Sequence, residues 1–147
     1  MTTASDILKS KPDHTVYTIT PSASVFDALK LMADKSIGAL VVTEGEHVVV
    51  GMITERDYAR KIILMARSSK DTPVREIMTS SVMFVRPGHT SQECMMLMTE
   101  NRLRHLPVMD GGKLIGIISI GDLVKDIISE QKFIIQHLEH YISGERS

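Results

Sequence analysis

The chain has 147 residues, a formal net charge of -1, 43% hydrophobic and 4% aromatic residues, ten methionines and one cysteine. That length holds one ordinary domain or two half-sized modules fused into one body, with no room for a separate catalytic domain. The near-neutral balance offers no basic footprint for nucleic acid, and no run of about 18 apolar residues could span a membrane. The polar stretch Met1 to Ser10 lacks a secretory signal, and the lone Cys94, which cannot form an internal disulfide, fits a reducing cytoplasmic setting.

In chain order, Ser5 to Leu8 reads as a short helical lead-in and Val16 to Ile19 as a strand. Pro21, Ser22 and Ser24 supply a turn and a helix start, after which Val25, Ala28, Leu29, Met32 and Ala33 recur at helical spacing as a buried stripe. Ala39 to Thr43 and Val48 to Ile53 are β-branched runs separated by Glu44, Gly45, Glu46 and His47, the pattern of a hairpin. Thr54 opens a helix whose expected buried face is Tyr58, Ala59, Ile62, Ile63 and Ala66. Arg67 to Pro73 is a polar linker, and Val74 to Met78 a second lead-in. Then come a strand at Met83 to Val85, a helix from Thr90 to about Asn101, strands at Leu106 to Met109 and Leu114 to Ile118, and a helix from Ser119.

The second series repeats the first. Pro21 maps to Pro87, Leu31 and Met32 to Leu97 and Met98, Leu40 to Leu106, Gly51 to Gly116, Ile53 to Ile118 and Asp57 to Asp122. Each unit is near the lower limit for a stable core alone, so the two are expected to pack on each other about a rough two-fold axis, creating a pair of related clefts. Cys94 takes the place of Ala28 and reads as a small buried hydrophobe. Past Leu123, Val124, Ile127 and Ile128 the apolar stripe runs on through Ile134, Ile135, Leu138, Tyr141 and Ile142, and is expected to stop before Gly144. So long a stripe needs a cover, and a second copy of the chain is the simplest one. His137 and His140 read as a solvated helix face; two ligands do not make a metal site.

Two segments could carry chemistry. Gly51-Met-Ile-Thr54-Glu-Arg-Asp57 is echoed as Gly116-Ile-Ile-Ser119-Ile-Gly-Asp122: a buried strand ends in a hydroxyl residue, and an acid follows three positions later at a helix entrance. This is the pattern of a helix cap, and equally of a carboxylate that receives the hydroxyls of a ribose while free N-H groups hold phosphate. Ahead of each hairpin, Ile37-Gly38-Ala39-Leu40 and Leu103-Arg104-His105-Leu106-Pro107 offer backbone edges and aliphatic walls suited to a flat purine. Arg102, Arg104 and His105 are either solvated charge or a phosphate contact.

These residues, with Val-x-Thr-Ile-x-Pro at Val16 to Pro21, Ile-Met-Thr at Ile77 to Thr79, and His105-Leu-Pro-Val108, resemble a tandem pair of CBS domains, the Bateman module. The resemblance implies an α/β (α+β) fold of two βαββα motifs packed with pseudo-two-fold symmetry, plus a C-terminal helical extension. Its expected bounds are motif one at 12–66, linker and lead-in at 67–77, motif two at 78–130 and a helix and tail at 131–147. Asp57 and Asp122 match the family's ribose acid and Thr54 and Ser119 the hydroxyl before it, while Thr18 matches a threonine near ribose or phosphate. Phe84 stands opposite Thr18, Val41 opposite Pro107 and Gly121 opposite Arg56, so the two sites are expected to differ. The implied role is non-catalytic regulation by an adenine nucleotide, AMP, ADP or ATP, with NAD and S-adenosylmethionine as further ligands. It would act in the cytoplasm as a homodimer that signals by conformational or assembly change beside an enzyme or transporter. The alternative is a ligand-independent dimeric scaffold that docks onto such a partner.

Overall fold

A computed structural model describes residues 2–46 and 48–145, so the predicted hairpin residue His47 lies outside the described part. The chain divides into two compact units. One comprises Met1–His14, Val85–Leu106 and Ile117–Ser147, and the other Thr15–Phe84 and Pro107–Gly116.

In the second of these units, β1 (Thr18–Ile19), β2 (Ala39–Glu44) and β3 (Val48–Thr54) form a three-stranded sheet in that order. β1 runs parallel to β2, with Thr18 beside Val41 and Ile19 beside Val42. β2 and β3 are antiparallel, with Ala39 opposite Thr54 and Val42 opposite Gly51, and an irregularity follows at Thr43. The helix α2 (Val25–Lys35) starts where Ser24 Oγ accepts the Asp27 N–H at 3.0 Å, a standard N-cap. Its inward face meets the sheet: Val25, Ala28 and Met32 join Leu40, Val42, Ile53, Ile62, Val74 and Ile77 in one core. Leu29 is half-buried there, whereas Ala33, expected inside, is exposed because it falls beyond the edge of the stripe. Gly51 lies so close to the following segment that a Cβ would meet Met78 Sδ at 2.5 Å and the Thr79 carbonyl oxygen at 3.0 Å. That approach lets Met52 and Thr79 exchange backbone hydrogen bonds.

The helix after β3 is shorter and less buried than its sequence pattern suggests. α3 (Glu55–Tyr58) gives way to a π turn at Ala59–Ile63, and of the predicted inward face only Ile62 is buried and Tyr58 half-buried. Ala59, Ile63 and Ala66 are exposed. The wider turn breaks the regular 3.6-residue phase on which the expected face was counted. A 3-10 turn at Val74–Glu76 matches the predicted lead-in.

In the other unit, α1 (Ala4–Ser10) is opened by a capping box between Thr3 and Asp6 and tied down by backbone bonds from Ala4 and Ser5 to His89 and Pro87. α4 (Ser91–Asn101) has the same kind of box between Thr90 and Glu93, which holds the Glu93 carboxyl below the usual range by hydrogen bonds from Thr90. Cys94 is fully buried, as is its counterpart Ala28, and burial pushes its thiol pKa up. The strands β4 (His105–Asp110) and β5 (Lys113–Ser119) pair in a two-stranded sheet, of which the stretch Pro107–Gly116 belongs to the three-stranded unit. They are joined at Gly111 and Gly112, whose φ of +58° and +81° suit glycine. α5 (Ile120–Glu145) closes the described chain in a single run of 26 residues and passes through Gly144, where a stop was expected. The strand expected at Met83 to Val85 does not form. Val85 alone makes a bridge, and β1 is likewise reduced to two residues of the predicted four.

Candidate functional site

The twin segments take the same local form. Each of α2 and α4 ends in a non-glycine residue in the left-handed region, Ser36 at φ +55° and Arg102 at φ +53°. The next N–H bonds back into the helix: Ile37 to Met32 at 3.0 Å and Leu103 to Met98 at 2.9 Å. This closure aims the chain into the following strand. One residue on, the Gly38 carbonyl accepts the Glu55 N–H at 3.1 Å, and the Arg104 carbonyl accepts the Ile120 N–H at 2.8 Å. Each pre-strand segment is thereby strapped to the first residue of a helix that begins with a hydroxyl-and-acid pair.

Those pairs are capping boxes. Asp57 Oδ2 accepts the Thr54 N–H at 3.0 Å and its hydroxyl at 3.2 Å, and Thr54 Oγ1 accepts the Asp57 N–H at 3.2 Å. Asp122 Oδ2 accepts the Ser119 N–H at 2.8 Å, and Ser119 Oγ accepts the Asp122 N–H at 3.1 Å. A carboxylate has about four acceptor positions, so a box does not exhaust either acid. Both acids are mostly buried and each is also held by a lysine that sequence reasoning missed. Lys61 Nζ lies 3.3 Å from Asp57 Oδ1 and donates to the Ile77 carbonyl at 2.8 Å. Lys11 Nζ lies 3.1 Å from Asp122 Oδ2 and donates to the Ile117 carbonyl at 2.9 Å. The first pair was legible as a helical i,i+4 spacing; the second joins residues far apart in the chain and left no local signal.

His105 is half-buried near Asp122, and burial pushes the imidazole pKa down; the Asp122 carboxylate opposes that, while Lys11 and Arg104 reinforce it. In the other unit Arg56 is exposed on α3, at the position where α5 has the exposed Gly121. Thr18 is exposed on β1. Ala39, Leu40, Leu106 and Pro107 are buried, so backbone is what they can offer a ligand. The β1–β2 ladder starts at Val41 and leaves the β1-side edge of Ala39 and Leu40 outside it.

Two further predicted residues, Phe84 and Pro107, come together elsewhere. They share a cavity of about 600 Å³ in the three-stranded unit with Val48, Val49, Val82 and Met109 as apolar walls. Glu46, Ser80, Lys113 and the Gly111–Gly112 turn also line it. The volume is that of a small-molecule pocket, but neither Asp57 nor Asp122 lines it. Among the described residues no three His, Cys, Asp or Glu side chains gather as a metal site, and no helix is long and apolar enough to cross a membrane.

Comparison with known proteins places these features. The CBS domain family model matches residues 3–64 and 74–129. The mitochondrial CBS domain-containing protein CBSX3 of Arabidopsis thaliana is 44% identical over 150 residues, which cover 97% of this chain and 73% of the plant protein. A solved protein with CBS domains from Burkholderia ambifaria superposes with a TM-score of 0.85 at 60% identity, covering 88% of this chain and 96% of that one. CBSX2, solved in complex with AMP, gives a TM-score of 0.74 at 28% identity over 89% of this chain and 99% of its own. A chain with two such matches, a capping box closing the last strand-to-helix step of each repeat and solved relatives of the same mixed α/β build belongs to the CBS-domain family of regulatory modules.

Proposed function

We propose that this protein is a non-catalytic sensor that binds an adenine nucleotide at Asp57 and Asp122 and reports it by a change of conformation or assembly. AMP is the first candidate, supported by the AMP complex of CBSX2; ADP, ATP, NAD and S-adenosylmethionine are the others to be tried. The observation that carries the reading is the duplicated arrangement of a strapped backbone edge, a hydroxyl and an acid. It occurs at Gly38, Thr54 and Asp57 and again at Arg104, Ser119 and Asp122. A helix cap needs the hydroxyl and the acid; it does not need the pre-strand edge held against them. With the edge in place, a ribose diol on the acid would direct its base along Ile37 to Leu40, or Leu103 to Pro107, and its phosphate towards the cationic side chains. Lys11, Arg104 and His105 serve the Asp122 site in this way, and Lys61 and Arg56 the Asp57 site. Because the two cation sets differ, the sites differ in affinity. A nucleotide shifts the protein only by its differential affinity for the two states.

The motif bounds 12–66 and 78–130, the homodimer, the cytoplasmic location and a partner enzyme or transporter belong to the same proposal. Titration calorimetry of the purified chain with AMP, ATP, NAD and S-adenosylmethionine tests it, and silence from all four at millimolar ligand overturns it. A second reading, a ligand-independent dimeric scaffold, is favoured by one observation: the apolar residues of α5 past Ile127 are exposed. A pull-down of the partner that survives both Asp57→Ala and Asp122→Ala would select it.

A further inference from the structure

Every described side chain of α5 from Ile127 to Ile142 is exposed, a projecting rod of about 24 Å at 1.5 Å per residue. Its apolar residues are not scattered. Ile127, Ile134 and Tyr141 form one row at heptad spacing and Ile128, Ile135 and Ile142 the adjacent row, with Leu138 beside them. These seven residues are 36% to 62% exposed. At on the order of 100 Å² each, about half of what a large apolar side chain presents, they offer roughly 700 Å², close to each partner's share of a standard interface. An unsupported isoleucine-rich helix of this length is marginal in water, so the pattern implies a cover.

We infer that the cover is the same segment of a second copy, lying antiparallel across a two-fold axis near Gln136. In that register Ile134 of one chain packs on Leu138 of the partner subunit, and the symmetry repeats the contact. Gln131, the one polar residue between the apolar layers, meets the hydroxyl of Tyr141 of the partner subunit instead of facing an aliphatic side chain. On one edge Lys132 faces Glu139 of the partner subunit, again twice, so the surface is complementary to itself in charge as well as shape. The helix dipoles oppose each other favourably. Phe133 stays outside the seam, stacked on His137 of its own helix with ring centroids 6.3 Å apart.

The test is the mass of the intact chain in solution, by light scattering and sedimentation over a concentration series. The Ile134→Glu, Leu138→Glu double variant should halve the mass and raise the dissociation constant about 100-fold or more, while its thermal transition shows the body still folded. Lys132→Glu alone should weaken association several-fold, and adding Glu139→Lys should restore it, since in antiparallel pairing the swapped charges face each other. A wild-type chain that is monomeric at high concentration overturns the inference. So does a mass unmoved by the double variant, or a charge swap that fails to rescue.

Discussion

Asp122 sits in a helix cap and in the proposed nucleotide site, and two substitutions separate the roles. Asp122→Ala removes the acceptor of the Ser119 N–H, at 2.8 Å, and the partner of Lys11, at 3.1 Å. Stranding a half-buried donor costs about 1–2 kcal/mol. The ion pair, with the lysine side chain 30% exposed, adds no more than about 1 kcal/mol once solvent screening is counted. The total of about 2 kcal/mol lowers the melting temperature by roughly 4–8 °C for a chain of this size. Asp122→Asn keeps an oxygen for the Ser119 N–H and loses only the charge, so its melting temperature should fall by less than half as much. A diol held by a carboxylate loses a charge-assisted pair of bonds in either variant, about 1.5–3 kcal/mol, or ten- to a hundred-fold in affinity. Scanning calorimetry and nucleotide titration on the same three proteins therefore give two rankings, graded for stability and equal for binding. If both variants lose stability as described yet bind AMP as the parent does, the acid is a cap and the site assignment is wrong.

Gly51→Ala pushes a methyl group into Met78 and the Thr79 carbonyl and should cost about 1–3 kcal/mol in urea unfolding; adding Met78→Ala should recover part of it, and a neutral Gly51→Ala would refute the close approach. Burial pushes the His105 pKa down, so its folded-state pKa lies below its unfolded one. The stability it contributes is complete above the unfolded value of about 6.5 and drains away as the pH falls below it. His105→Gln should flatten the pH dependence of the melting temperature between about pH 7 and 5, and an unchanged slope would assign it to other groups. The Cys94 thiol should resist a disulfide reagent in the native protein and react fully in denaturant; rapid native labelling would contradict its burial.

The elements that rest on local chemistry were legible in the residues. Ser24 and Thr90 start their helices, the β-branched runs pair as hairpins, and the hydroxyl-and-acid pairs cap the helices at Thr54 and Ser119, all within a few positions of one another. The errors fall where the decisive partner is distant or the period changes. Met83 and Phe84 have the residues of a strand but no ladder, and the π turn at Ala59–Ile63 shifts the phase after α3. Lys11 reaches Asp122 from beyond a hundred residues upstream, which no spacing rule anticipates.

That last contact makes the two acids unequal. The cation on Asp57 comes from the next turn of its own helix, and whatever displaces it frees one lysine side chain. The cation on Asp122 comes from the N-terminal stretch, just past α1, so a guest that takes that carboxylate also releases one of the ties on the opening residues, beside those made by Ala4 and Ser5. Occupancy of one acid is a local matter; occupancy of the other can be felt at the front of the chain.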